Sequence, residues 1–184
     1  MNKNVVSKFI TGKVRLCYEN LFTPFAMNES QEPKYSACFL IRKSDASTID
    51  NYNAAIEEVQ RKGEVLWGGS VPKNLKTPLR DGDVERPGQD EFAGHYFINA
   101  RSNRPPAIYD KDGNVLQNSE ELYSGCYVRV SLNLFAYNTA GNKGIGAGIN
   151  QVMKVEDGEP LYGSSRTVND FGIQIKNNSN DFLD

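Results

Sequence analysis

The stretch from Cys126 to Tyr137 constrains the fold more than any other part of the chain, because apolar and polar residues alternate along it without a break. Period-two alternation is typical of a β-strand that buries one face. The residues predicted to face the core are Cys126, Val128, Val130, Leu132 and Leu134. The opposite face carries Tyr127, Arg129, Ser131, Asn133, Phe135 and Tyr137. The sequence therefore predicts a long antiparallel strand whose outer face is unusually rich in aromatic rings.

A second strand is predicted from Gly141 to Val155, joined to the first by a tight turn at Asn138–Asn142. Within it, Gly144, Gly146 and Gly148 recur with period two, so one face of the strand has no side chains. The spacing matches neither a phosphate-binding loop nor a dinucleotide-binding fingerprint. We favour strong coiling of a barrel strand, or close approach of another strand, as the reason for these glycines. A bare backbone floor for bases or phosphates is the alternative.

The rest of the chain predicts a mainly β fold with one helix. Further strands are predicted at Val5–Tyr18, Lys34–Lys43, His95–Ser102 and Ala107–Tyr109. Apolar residues at helical spacing predict a helix at Ser47–Lys62, with Ser47 in a capping box and Gly63 at the end. A long segment rich in Gly, Pro and Asp, Trp67–Glu91, follows the helix. Many antiparallel strands with one helix and inserted loops favour a small barrel, and an OB-type barrel, an SH3-like barrel and an irregular sandwich all fit the pattern.

The outer face of the 126–137 strand indicates a binding surface. Exposed aromatic rings lose favourable burial unless a partner covers them. Bases stack on such rings for about 1–3 kcal/mol each without any reading of sequence. Alternation also predicts Phe97 and Arg101 on the outer face of the 95–102 strand, and Phe9, Lys13 and Arg15 on that of the first strand. Burial of the rings under the helix or a loop, or in a dimer interface, is the alternative.

Charge gives a mixed signal. A net charge of −2 over 184 residues argues against a general nucleic-acid binder. Residues 1–43, however, carry seven basic and three acidic side chains, so the cations are concentrated in one part of the chain. This distribution is compatible with one basic groove on an otherwise acidic protein. The length suits a single domain with a core of its own.

No catalytic or metal-binding motif stands out. The single histidine, His95, has no recognisable nucleophile partner, and the three cysteines lack the spacing of a zinc site. We expect the cysteines to be buried free thiols. The carboxylates between Asp81 and Glu91 suggest a two-metal nuclease as an alternative, but turn formation in a solvated loop explains them more simply. The sequence thus predicts no cofactor, no metal and no membrane-spanning helix.

Five stretches, in chain order, resemble the phage-encoded single-stranded DNA-binding proteins, a family long catalogued as a domain of unknown function. They are PLRDGD at Pro78–Asp83, HYFINA at His95–Ala100, YSGCYVRVSLNLFAYN at Tyr123–Asn138, GNKGIGAGIN at Gly141–Asn150 and VEDGEPL at Val155–Leu161. The resemblance implies a five-stranded OB-type barrel, which we place at residues 1–170, with sequence-independent binding of single-stranded DNA. It also implies a role in phage DNA replication or recombination, in the cytoplasm of an infected or lysogenic bacterial host, without enzymatic activity.

With that function in mind, the sequence predicts a basic groove that contains stacking rings. The cations expected to contact phosphates are Lys13, Arg15, Lys34, Arg42, Arg101, Arg129 and Lys143. The rings expected to stack on bases are Trp67, Phe97, Tyr127, Phe135 and Tyr137. A protein scaffold that uses the aromatic face, a metal-dependent nuclease, and RNA in place of DNA stay open as alternatives.

Residues 171–184 are predicted to form a flexible, weakly acidic tail. Members of the broader group often end in an acidic tail with an aromatic tip, which recruits replication proteins or covers the binding groove. Here the chain ends in NNSNDFLD, with Asp181, Phe182 and Asp184. The resemblance therefore implies replication or recombination proteins as partners, with a merely frayed terminus as the alternative. A homodimer also stays open.

Overall fold

The computed structural model describes residues 5–161 and, for the backbone alone, 167–168 and 174–175. The strands are β1 (Val6–Ile10), β2 (Val14–Phe25), β3 (Lys34–Arg42), β4 (Leu79–Asp81), β5 (His95–Ser102), β6 (Ala107–Tyr109), β7 (Tyr127–Thr139), β8 (Asn142–Glu156), β9 (Thr167–Val168) and β10 (Gln174–Ile175). The helices are α1 (Ala46–Gly63) and the single turn α2 (Gly82–Glu85). The predicted tail at 171–184 lies outside the described residues, apart from the backbone of β10.

Five strands pair in a closed ring. β2 pairs with β3, β3 with β5, β5 with β8, β8 with β7, and β7 again with β2. Only the β5–β8 pairing in this ring is parallel. The ring fits the five-stranded OB-type barrel. Three more strands extend the ring: β1 pairs with β7, β4 with β5, and β6 with β8. The predicted mainly β fold with one long helix is confirmed.

The alternation that predicted the 126–137 strand is present in β7. Its five inward residues, from Cys126 to Leu134, are at most 1% exposed, and they pack against Leu16, Phe39 and Ile98 of neighbouring strands. Complete burial of side chains of this size contributes about 1.5–3 kcal/mol each. The outward residues are half-buried or exposed. The core therefore fixes which face of β7 is available to a ligand.

The prediction of a single strand over Val5–Tyr18 is wrong, because the chain breaks between β1 and β2. The buried Thr11 hydroxyl accepts a hydrogen bond from the Val130 N–H at 3.1 Å. The Gly12 N–H donates to the Thr48 hydroxyl of α1 at 3.0 Å. These bonds to distant parts of the chain divert the backbone for three residues and reset the alternation.

The break reverses the faces expected for β1. Phe9, predicted on the outer face, is only 1% exposed and packs edge-on against Tyr52 of α1, with 5.5 Å between the ring centroids. Ile10, which the same alternation places on the inner face together with Val14 and Leu16, is 47% exposed. β1 therefore presents Lys8 and Ile10, rather than Phe9, to the outside of the barrel.

Helix α1 lies against β1 and β7 and begins one residue earlier than predicted. Its N-cap is Asp45 rather than Ser47, because the Asp45 carboxylate accepts the Thr48 N–H at 3.1 Å. The helix ends at Gly63 as predicted, but the glycine is needed there for packing. A Cβ at Gly63 would lie 2.8 Å from the Trp67 ring, so any larger residue would push that ring away.

The segment predicted as a long loop, Trp67–Glu91, contains β4 and α2, and β4 pairs along the edge of β5. The short helical turn Asp90–Phe92, which follows α2, places Phe92 edge-on against Phe97 of β5, with 5.1 Å between the ring centroids. These two rings form a second buried cluster on the outer side of the barrel with Cys17, Cys38 and Leu40, and Leu161 packs against it. Part of the outer face of β3 and β5 is therefore closed. All three cysteines are buried free thiols, as expected.

Candidate nucleic-acid interface

Two aromatic rings of β7 lie directly on the glycines of β8. Phe135 is opposite Gly146 and Tyr137 is opposite Gly144 in the β7–β8 register. A Cβ at Gly146 would lie 2.5 Å from Phe135 Cζ, and one at Gly144 would lie 2.6 Å from Tyr137 Cζ. Gly144 and Gly146 therefore provide space for the two rings. The close approach at these two glycines is made by side chains of β7 and not by the backbone of another strand.

Phe135 is 37% exposed and lines two adjoining depressions. The charged and aromatic residues of the first, about 610 Å³ in volume, are Lys34, Arg80, Arg101, Phe135 and Tyr137. Those of the second, about 990 Å³, are Lys8, Arg101, Arg104 and Phe135. Four residues line both: Arg101, Ser102, Asn103 and Phe135. The two depressions therefore form one continuous channel on the surface, which we call the groove.

Beyond Phe135, the floor of the groove is polar and uncharged. The side-chain amides of Asn133 and Asn150 donate to each other, at 2.6 and 2.8 Å. The Asn150 amide also donates to the Ser131 hydroxyl at 3.4 Å. After these bonds Asn133 keeps one N–H donor for a ligand, and each amide oxygen keeps one acceptor site. The pair can therefore hydrogen-bond to many base edges without favouring one.

The groove is strongly basic although the chain as a whole is acidic. Five cations line it, Lys8, Lys34, Arg80, Arg101 and Arg104, and none of the described residues in its lining is acidic. Arg80 is paired with Glu85, with 2.6 Å between Nε and the carboxylate. The other four form no ion pair with any residue between 5 and 161. A groove of this charge attracts a polyanion.

Four of the predicted site residues meet in the groove: Lys34, Arg101, Phe135 and Tyr137. Lys143 does not line the groove, and its Nζ donates to the Trp67 carbonyl at 3.1 Å. Arg42 is exposed at the end of β3, opposite His95, and does not line the groove. Arg129 lies farther along β7, where its Nε donates to the Thr11 carbonyl at 3.2 Å.

Two of the predicted stacking rings are covered. Trp67 is 3% exposed, and its indole N–H donates to the Tyr137 carbonyl at 3.0 Å. It supports the backbone under the Tyr137 ring and does not itself reach the groove. Phe97 is fully buried in the second cluster, beneath Phe92 and the Arg80 guanidinium. The expectation that Phe97 is exposed is wrong, because the inserted segment covers that part of β5.

Tyr127, Lys13 and Arg15 form a separate cluster outside the groove lining. The Lys13 ammonium lies 5.1 Å and the Arg15 guanidinium 5.7 Å from the centre of the Tyr127 ring. Arg15 donates to the carbonyls of Gly125 and Glu159, at 3.1 and 2.6 Å. The bond to Glu159 holds the segment that follows β8 against β2. The predicted contact of this cluster with DNA stays a prediction.

The carboxylates of the nuclease alternative are bound to a lysine. Lys43 Nζ lies 2.7 Å from a carboxylate oxygen of Asp81 and 2.7 Å from one of Asp83. These hydrogen bonds lower the pKa of both carboxyl groups and raise that of Lys43. Across residues 5–161, no three His, Cys, Asp or Glu side chains converge in a way that could hold a metal ion. The arrangement therefore stabilises the inserted segment and does not resemble a two-metal site.

Comparison with known proteins identifies the family. The family described as "Enterobacter phage Enc34, ssDNA-binding protein" matches residues 7–183. The chain belongs to this family. It is also 29% identical over 163 residues to "Putative protein p50" of Acyrthosiphon pisum secondary endosymbiont phage 1, covering 85% of this chain and 87% of that protein.

Solved structures agree with this membership in the Enc34 family. The structure of the single-stranded DNA-binding protein from bacteriophage Enc34 in complex with ssDNA has a TM-score of 0.75 and 25% identity, covering 84% of this chain and 89% of that one. The bacteriophage T7 protein gp2.5, a single-stranded DNA-binding protein, has a TM-score of 0.60 at 15% identity, over 86% of this chain and 91% of that one. The T7 comparison shows a shared fold. Within the described residues, no helix is long and apolar enough to cross a membrane.

Sequence reasoning on this Enc34-family chain missed three of the groove cations. Lys8 shares a face with Ile10, which the unbroken alternation assigned to the core; the signal for the break was Thr11 followed by Gly12. Arg80 lies on β4, in a segment that reads as a loop from its composition. Arg104 precedes two prolines and is placed by the turn after β5, where the Ser102 hydroxyl donates to the Arg104 carbonyl at 2.7 Å.

Proposed function

We propose that this protein binds single-stranded DNA in the groove, without reading base sequence, and acts in phage DNA replication or recombination by binding and not by catalysis. The observation that carries the proposal is a groove lined by five cations and no described acidic residue, with Phe135 and Tyr137 seated on glycines inside it. Cations hold the phosphates and rings stack on the bases. Membership in the Enc34 family supports the same function.

The stacking rings favour a single strand over a duplex. In a duplex the base faces are already stacked on one another, so neither Phe135 nor Tyr137 could reach them without opening the helix. Every base has a face that can stack, and the Asn133–Asn150 pair offers both a donor and acceptors. The groove therefore suits a strand of any sequence. The solved structure of the Enc34 protein in complex with ssDNA supports this choice of ligand.

The proposal includes the setting in which the protein works. We place it in the cytoplasm of an infected or lysogenic bacterial host, because its relatives are phage proteins and phage DNA is copied there. Residues 171–184 are the candidate contact for replication or recombination proteins, on the strength of the acidic and aromatic residues at the chain end. A homodimer stays a prediction.

Two substitutions separate the roles of rings and cations. Phe135→Leu keeps an apolar side chain but removes the ring, so we expect about tenfold weaker binding of an oligo-dT strand, within the 1–3 kcal/mol measured per stacked base. Arg101→Ala should instead make binding less sensitive to salt. With four unpaired groove cations, the slope of log affinity against log salt should be about −2.8, and it should lose about 0.7 in Arg101→Ala.

Fluorescence anisotropy of a labelled oligo-dT at several salt concentrations measures both quantities. Arg61→Ala, which removes an exposed cation of α1, is the matched control and should leave the slope unchanged. Unlabelled duplex and oligo-rU serve as competitors. Equal competition by duplex, or a Phe135→Leu protein that binds as tightly as the wild type, would contradict the proposal.

A further inference from the structure

A second, apolar pocket of about 390 Å³ lies farther along β7, beyond the amide pair. Ile10, Tyr109 and Met153 are its larger apolar side chains, and Arg129 is the one charged residue among the described residues that line it. Ile10 is 47% exposed there because of the break between β1 and β2. Adjacent apolar side chains left open to solvent are a common sign of a ligand site.

The pocket is continuous with the groove. Ser131 and Gln151 line both of them. The outward residues of β7 lead from one to the other in the order Tyr137, Phe135, Asn133, Ser131 and Arg129. From Phe135 to Arg129 the strand advances six residues, or about 20 Å at the usual rise of β-structure. A DNA strand that leaves the rings and crosses the amide pair therefore arrives at this pocket.

We propose that the apolar pocket is a further base-binding subsite, which takes one unstacked base of the strand held in the groove. The proposal rests on the proposed function. Ile10, Tyr109 and Met153 supply apolar surface for the base. The bond from Arg129 Nε to the Thr11 carbonyl fixes the guanidinium, so that its remaining N–H groups can meet the phosphate of the same nucleotide. Continuity with a basic groove and the lone arginine favour a nucleotide over an apolar protein segment.

The test compares Ile10→Glu with Val115→Glu across a series of oligo-dT lengths. Val115 is 66% exposed and forms a bridge with Tyr109, but it does not line the pocket. Both variants add one negative charge at an exposed valine or isoleucine on the same side of the molecule, so general electrostatic effects should be alike. Oligonucleotides of about 4 to 16 nucleotides cover the site sizes known for OB folds.

We expect Ile10→Glu to bind the shortest strands as the wild type does and the longer strands roughly tenfold more weakly, once they reach the pocket. Val115→Glu should match the wild type at every length. With 2-aminopurine placed at each end of the strand in turn, the fluorescence change at one end should disappear in Ile10→Glu, and any change caused by stacking on Phe135 and Tyr137 should remain.

Other outcomes overturn the subsite and can be told apart from failure of the proposed function. In one such outcome, Phe135→Leu weakens binding at all lengths, while Ile10→Glu weakens binding at none. In another, Ile10→Glu and Val115→Glu weaken binding equally at every length. In both cases the groove binds DNA and the pocket does not. If Ile10→Glu changes only the sedimentation coefficient, the pocket is a protein contact. If the wild type binds no single strand, the proposed function itself fails.

Discussion

The contact between Phe135 and Gly146 yields the sharpest quantitative prediction. Gly146→Ala adds a Cβ that would lie 2.5 Å from Phe135 Cζ and 2.9 Å from Cε2, so the ring has to move. Gly148→Ala, two residues along the same strand, is the matched control. There the nearest neighbour of a new Cβ is the Arg101 carbonyl oxygen at 3.6 Å, an ordinary contact. Both glycines line the groove, so the variants differ mainly in the fate of the ring.

The expected magnitudes have opposite signs. Forcing extra volume into a packed site costs about 1–3 kcal/mol. Since Phe135 is 37% exposed, its ring can swing toward solvent, and we expect a cost of about 1 kcal/mol. For a chain of this size that lowers Tm by about 2–4 °C. Gly148→Ala should instead stabilise the protein by about 0.4–1 kcal/mol, because it restricts the unfolded chain without a clash. Only Gly146→Ala should also weaken DNA binding, since it displaces a stacking ring.

Thermal denaturation and oligo-dT anisotropy measure the two effects, and a double variant isolates the contact. Leucine lacks the Cζ and Cε atoms that a Cβ at residue 146 would meet, so Gly146→Ala should cost less in a Phe135→Leu background. The coupling free energy between the two sites should exceed about 0.5 kcal/mol, as is usual for residues in contact. The reasoning fails if the alanine variants at 146 and 148 have the same Tm and affinity, or if the two substitutions at 135 and 146 are additive.

Two further predictions concern ionisable groups. Lys43 lowers the pKa of Asp81 and Asp83. The stability that these pairs add is therefore present above the unfolded Asp pKa of about 3.9 and is lost as the pH falls through the lower folded pKa values. Urea denaturation at several pH values should show that Lys43→Met loses less stability in acid than the wild type does. Burial raises the pKa of the Cys126 thiol to about 11, and a hydrogen bond with Cys17 on β2 raises the pKa of the Cys38 thiol. At pH 8 an aromatic disulfide reagent should therefore modify neither thiol in the folded protein. Rapid labelling before denaturant is added would show that these thiols open to solvent in the folded state.

The strands that could be predicted are those whose signal is local. β5, β6, β7 and β8 lie within about a residue or two of the predicted bounds, because alternation along one strand already determines which face is buried. The same reasoning placed Phe135, Tyr137 and Arg101 on the outer side, where they line the groove. No knowledge of the rest of the chain was needed for these residues.

The errors have a common physical cause, which is contact between residues far apart in the sequence. Phe97 obeys the alternation of β5 and does point away from the main core, but Phe92 and Arg80 from the inserted segment cover it. The break after Ile10 depends on bonds from Thr11 to β7 and from Gly12 to α1. Alternation describes two faces of an isolated strand, and it contains no information on what is later packed against either face.

Charge segregation explains how an acidic chain can present a basic groove. Outside the groove, carboxylates are bound to lysines: Asp81 and Asp83 to Lys43, Glu58 to Lys62, Glu156 to Lys13 and Asp157 to Lys154. Charges separated by more than about 8 Å are largely screened at physiological ionic strength. A DNA strand in the groove therefore responds mainly to Lys8, Lys34, Arg101 and Arg104, which form no ion pair with a described residue. The net charge of −2 reflects the whole surface, whereas the local arrangement of these four cations determines the potential that the phosphates meet.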